Sequence, residues 1–161
     1  MLRVRTLIFI LNLTCVILAQ VPTGCVKIHN RELTYSGALI KSDHHDKDRR
    51  HVSFNRWGEP WIITKVKDDM YTIKHAGTKE EMLESVQKWN GNYIFTWIPK
   101  TIINDGGAWW RIYPSTDGYF YIKNVKFNHC LYAKIIGDWV AAYPECNSST
   151  FEWRIFNLNE C

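Results

Sequence analysis

Apolar and polar positions alternate in short runs along most of the chain, and the clearest run is Tyr119, Phe120, Tyr121, Ile122, Lys123. It leads through Cys130, Leu131 and Val140 to Trp153, Arg154 and Ile155. A period of two is that of a half-buried β-strand. The same order of residue types occurs twice upstream. It runs as Val26, Lys27, Ile28, then Leu39, Val52 and Trp61, Ile62, Ile63, and again as Tyr71, Thr72, Ile73, then Leu83, Ile94 and Trp110, Arg111, Ile112. The opening isoleucines Ile28, Ile73 and Ile122 lie 45 and 49 residues apart, and the closing tryptophans Trp61, Trp110 and Trp153 lie 49 and 43 apart. Self-similarity at a nearly fixed period indicates repeated units that need one another for a core, here about residues 25–66, 68–114 and 117–157.

No stretch of helical length carries a 3.6-residue period, although Lys79 to Glu84 allows one helical turn. The pattern predicts strands over Val26 to His29, Gly37 to Lys41, His51 to Asn55 and Trp61 to Val66 in the first repeat. In the second it predicts Tyr71 to His75, Met82 to Val86, Tyr93 to Ile98 and Trp109 to Tyr113. In the third it predicts Tyr119 to Lys123, Cys130 to Lys134, Trp139 to Tyr143 and Trp153 to Phe156. The breaks hold residues suited to turns: Gly58 with Pro60, Lys67 to Asp69, Asn90 with Gly91, Asp105 to Gly107, Asp117 with Gly118, Gly137 with Asp138, and Asn147 to Ser149. Four short strands in each of three units predict an all-β fold, a β-trefoil of three pseudo-repeats, with about twelve strands closed so that few sheet edges remain.

The N-terminus changes the length to be explained. Arg3 and Arg5 precede an apolar run from Leu7 to Leu18 and then Ala19, the layout of a secretory signal peptide cleaved after Ala19. The apolar run is shorter than the roughly 20 residues that cross a bilayer, so membrane insertion is not expected. Residues 20–161 remain as one domain, the usual size for a single full core. Loss of the two arginines takes the formal net charge from +4 to +2, with both signs interspersed. A nucleic-acid partner would require a concentrated basic face, and the densest cluster, Lys47, Arg49 and Arg50, is offset by Asp43, Asp46 and Asp48.

Cleavage removes Cys15 and leaves Cys25, Cys130, Cys146 and Cys161, an even number in an oxidising compartment. Three pairings are possible. Cys130 with Cys146 lies within one repeat, and Cys25 with Cys161 follows if the repeats close into a ring that brings the chain ends together. No Cys-x-x-Cys pair favours zinc. His44 and His45 beside Asp43 and Asp46 have metal-ligand chemistry but lie in one charged loop without a second half, so neither a metal nor another cofactor is expected. No nucleophile and base stand in a recognisable setting, which reads as a protein that is not an enzyme. Asn147, Ser148, Ser149 is a glycosylation sequon in a turn.

In repeat layout the chain resembles the ricin B-type lectins. Glu84, after Met82 and Leu83, falls where that family keeps its sugar-binding acid. Asn90 to Ile98 is similar to the strand that ends in the sugar-stacking aromatic, which would be Trp97, and Asn104 or Asp105 would supply the polar partner. Such a site needs a carboxylate for vicinal hydroxyls, a flat ring for the apolar sugar face and an amide that both donates and accepts. In the third repeat the equivalent platform is Tyr143, with Tyr132 in place of the acid; in the first, Asp43 is the acid and Asn55, near Trp57, takes the platform position. The lectin Gln-x-Trp closure is altered in all three repeats, to Glu59, Pro60, Trp61, to Ala108, Trp109, Trp110 and to Phe151, Glu152, Trp153. The alternatives are a core role for Trp97 and an ordinary exposed acid at Glu84.

The four cysteines of residues 20–161 and the Trp61, Trp110 and Trp153 closures also resemble the Cys- and Trp-rich salivary proteins of culicine mosquitoes. That resemblance implies a monomeric protein secreted in saliva, whose partners are glycans or glycoproteins of the host. The other reading is a loop-mediated protein ligand, a protease inhibitor or receptor binder without sugar binding.

Overall fold

The computed structural model describes residues 20–88, 91–133 and 139–161. The expected signal peptide at 1–19 and the turn positions Asn90, Gly137 and Asp138 lie outside the described residues. Twelve strands follow in chain order: β1 Gly24–Asn30, β2 Ala38–His44, β3 Arg49–Asn55, β4 Trp61–Lys67, β5 Met70–His75 and β6 Glu81–Lys88. Then come β7 Asn92–Trp97, β8 Trp110–Pro114, β9 Phe120–Asn124, β10 Cys130–Ala133, β11 Val140–Tyr143 and β12 Glu152–Asn157. The helical turn allowed at Lys79 to Glu84 is replaced by the start of β6, whose alternation buries Met82 and Glu84.

All twelve belong to one antiparallel sheet. A closed circuit of ten strands runs β1, β4, β5, β8, β9, β10, β11, β7, β3, β2 and back to β1. Outside it, β12 pairs with β1 and β9, and β6 pairs with β5 and β7. The expected β-trefoil of three pseudo-repeats is therefore corrected. The strands do not sort into three self-contained four-stranded units. Strands of four residues, such as β10 and β11, leave backbone groups that only other segments can satisfy, so the ladder runs across the segment boundaries. The segments also differ. The first two hairpins carry irregularities between Lys41 and His44 and between Glu84 and Lys88, whereas the third is short and is followed by a 3-10 turn at Ser149–Phe151.

The spacing of tryptophans marks the core itself. Trp61, Trp110 and Trp153 are completely buried among Ile28, Ile73 and Ile122 and their apolar neighbours. Each indole N–H reaches a backbone carbonyl: Leu39 at 3.1 Å, Met82 at 3.1 Å and Leu131 at 3.0 Å. A buried indole needs such an acceptor. Two disulfides join Cys25 to Cys161, the pair that follows from closure, and Cys130 to Cys146, the pair within one segment. The first lies beside the β1–β12 ladder, where Val26 faces Asn157. At the Asp117–Gly118 turn both residues have positive φ, 55° and 77°, which suits the twist of the β8–β9 hairpin and explains Asp followed by Gly.

Candidate functional site

The β6–β7 hairpin carries both Glu84 and Trp97. Inward alternation places the Glu84 side chain entirely out of solvent, so it is not an ordinary exposed acid. Its Oε1 accepts hydrogen bonds from Asn92 Nδ2 at 2.8 Å and His129 Nδ1 at 2.7 Å. Its Oε2 is buried without a hydrogen-bond partner. Burial pushes the carboxyl above its usual range, and the bonds from Asn92 and His129 oppose that shift. The Glu84 N–H donates to the Gly107 carbonyl at 3.0 Å, which ties β6 to the segment before β8. Glu84 thus clamps three segments together from beneath the surface.

Trp97 ends β7, in register with Arg49 of β3 on one side and Glu81 of β6 on the other. It is half-buried, not a closed core residue, and its indole N–H donates to Thr101 Oγ1 at 2.8 Å. Trp97 and Glu84 line one open depression of about 420 Å³. Its other walls are Asp46 and Asp48 of the β2–β3 turn, Arg49 at the start of β3, Leu83, Ser85 and Val86 of β6, and Lys126 with Phe127.

The polar groups of this depression are not equally free. Asp46 holds Arg49 through Oδ2, and that hydrogen bond takes its carboxyl down to about 2. The Arg49 guanidinium lies over the Phe95 ring at 4.8 Å, which fixes its orientation. Lys126 Nζ pairs with Asp105 at 2.5 Å. The Asp48 carboxylate makes no hydrogen bond or ion pair among the described residues, although its backbone N–H donates to Asp46 Oδ1 at 2.9 Å. A free acid, a fixed guanidinium and two aromatic rings around one open concavity can accept and donate to hydroxyls and cover an apolar face.

The other two sequence-predicted residues lie elsewhere. Asn104 is exposed next to Asp105 and does not line the depression. Tyr143, at the end of β11, packs edge-on to Tyr132 with centroids 5.0 Å apart. A Cβ on Gly91 would come within 2.6 Å of its ring, so Tyr143 closes against the β6–β7 turn. His45 does not face Asp43: its Nδ1 is 3.0 Å from His51 Nε2, and His51 stacks on Trp139 at 3.8 Å. Among the described residues no group of three His, Cys, Asp or Glu side chains is placed to hold a metal ion. Nor, among those residues, is any helix long and apolar enough to cross a membrane. Sequence reasoning missed Asp48, Lys126, Phe127 and His129. His129 is 45 residues from Glu84, and only the order of the closed sheet brings them together.

A solved salivary protein from Culex quinquefasciatus, of the Cysteine and Tryptophan-Rich (CWRC) family, is similar at 50% identity over 87% of this chain and 97% of its own, with a TM-score of 0.80. The chain belongs to that salivary family. A second CWRC salivary protein of the same mosquito is similar at 22% identity, over 88% of this chain and 98% of its own, with a TM-score of 0.72. A lectin from Polyporus squamosus, solved bound to a human-type influenza-binding epitope, shares the fold at 18% identity and a TM-score of 0.65, over 83% of this chain and 48% of its own. No protein-family model and no curated protein matches the sequence. The mosquito salivary resemblance read from the cysteines and closing tryptophans is thus established, and the likeness to the lectin is one of fold.

Proposed function

We propose that this CWRC protein is secreted in saliva and binds glycans of the host, without catalysis, through the depression between β6, β7 and the β2–β3 turn. The observation that carries the reading is the half-exposed Trp97 ring in the same wall system as the free Asp48 carboxylate. The ring covers the C–H face of a sugar, Asp48 accepts from its hydroxyls, and Arg49 and Lys126 donate. Glu84 takes the anchoring role, holding Asn92 and His129 beneath that surface. Asn104, beside Asp105, extends the site for a ligand longer than one sugar, and Tyr143 forms a separate platform.

A single open pocket of this kind binds a monosaccharide at about millimolar strength, about 4 kcal/mol. Useful affinity then comes from clustered glycans on cells or matrix engaged by several monomers or several sites. A glycan array of the oxidised 20–161 protein, run beside Trp97→Ala with matched thermal midpoints, tests the assignment. Binding to one coherent glycan class that the variant loses supports it. A folded protein that binds none moves the function to a protein ligand held by the loops.

A further inference from the structure

The outward side of the β1–β12 ladder carries basic side chains. His29 of β1 faces Arg154 of β12 in register, and Lys27 faces Phe156 one step away. The Arg31 guanidinium lies over the Tyr119 ring at 4.7 Å, and that of Arg154 lies 5.7 Å from the same ring and 5.4 Å from Phe156. One tyrosine thus holds two guanidinium groups side by side. Arg31 is neutralised by Glu152 at 2.7 Å and Asp117 at 3.4 Å. Arg154 has no carboxylate within ion-pair distance among the described residues.

His29, Arg31, Thr34, Tyr119, Arg154 and Phe156 enclose a pocket of about 240 Å³. That is smaller than the roughly 300–1,000 Å³ of drug-sized sites, so it takes one ring or one acid group. A guanidinium presents parallel N–H donors that match a carboxylate or sulfate. Phe156, 44% exposed, offers an apolar face beside the charge, and Thr34 offers a hydroxyl. We propose that this pocket binds the sulfate or carboxylate group of an acidic saccharide, as a second ligand site independent of the Trp97 depression. The anion gives Arg154 the partner that the fold withholds.

The test is titration calorimetry of the oxidised 20–161 protein with a heparin-derived hexasaccharide and, separately, with sialyllactose. The comparison is with Arg154→Ala, with Phe156→Ala and with Lys65→Ala, an exposed lysine of β4. Loss of a charge-assisted contact weakens binding by at least about tenfold in Arg154→Ala, and Phe156→Ala weakens it in the same direction. Lys65→Ala leaves it unchanged. Weaker binding of the same hexasaccharide after N- and O-desulfation assigns sulfate, and equal binding of the desulfated form, or of sialyllactose, assigns carboxylate. Binding of neither probe overturns the proposal. So does an equal loss in Lys65→Ala, which means diffuse charge attraction, or equally tight binding of duplex DNA at the same salt. Because Trp97 is untouched by the Arg154 change, failure here leaves the glycan reading of the depression standing.

Discussion

Glu84 and His51 show how burial turns side chains with familiar chemistry into structural parts. Replacing Glu84 by Ala leaves the Asn92 amide and the His129 N–H without their acceptor, and unfolding in urea should show a loss of about 2 kcal/mol. Glu84→Gln retains a carbonyl oxygen and should lose clearly less. The acid at this position was legible in the sequence, but not its burial, because alternation in β6 follows Met82 rather than Leu83 as the inward residue. His51 is buried against Trp139, and burial first, then the neighbouring His45 and Arg49, lowers its pKa from 6.5 to about 4. Between those values the unfolded chain holds the extra proton, so stability falls as pH falls from about 6.5 to about 4. His51→Gln should flatten that fall by on the order of 2 kcal/mol in thermal melts taken across the window. His75, also lowered mainly by burial, keeps its own share in the variant.

At the scale of elements, the closing strands β4, β8 and β12 are fixed by the same device. Each begins in or carries a tryptophan whose N–H bonds to a carbonyl in the second strand of its segment. Trp61→Phe, Trp110→Phe and Trp153→Phe each lose that hydrogen bond and part of a buried ring. Each should cost about 2–3 kcal/mol by chemical denaturation, and similar values for all three would mark equivalent roles. This much was visible in the spacing of Trp61, Trp110 and Trp153. What spacing could not give is strand pairing. Periodicity reports which face of a strand is buried, and says nothing about whether β7 lies beside β3 and β11, which is why the sheet differs from three separate repeats.

The whole molecule is closed by its ends, and the two disulfides weigh differently on that closure. Cys25 and Cys161 are separated by 136 positions, Cys130 and Cys146 by 16. In the chain-entropy model the long loop stabilises by about 5 kcal/mol and the short one by about 3. The Cys25→Ser, Cys161→Ser pair should therefore lower the denaturation midpoint more than the Cys130→Ser, Cys146→Ser pair. Closure was readable from Cys25 and Cys161 at opposite ends of the chain. The depression was only half readable, because Glu84 and Trp97 share one hairpin, while Asp48, Lys126 and Phe127 reach it through sheet order alone. The central claim is that this depression, with Trp97 as its ring, is a glycan site. The most direct measurement is glycan-array binding by the oxidised 20–161 protein and by Trp97→Ala at equal thermal midpoint. One glycan class bound by the first and lost by the second is the predicted result. Unchanged binding in Trp97→Ala, or no glycan bound by the folded protein, would contradict the claim.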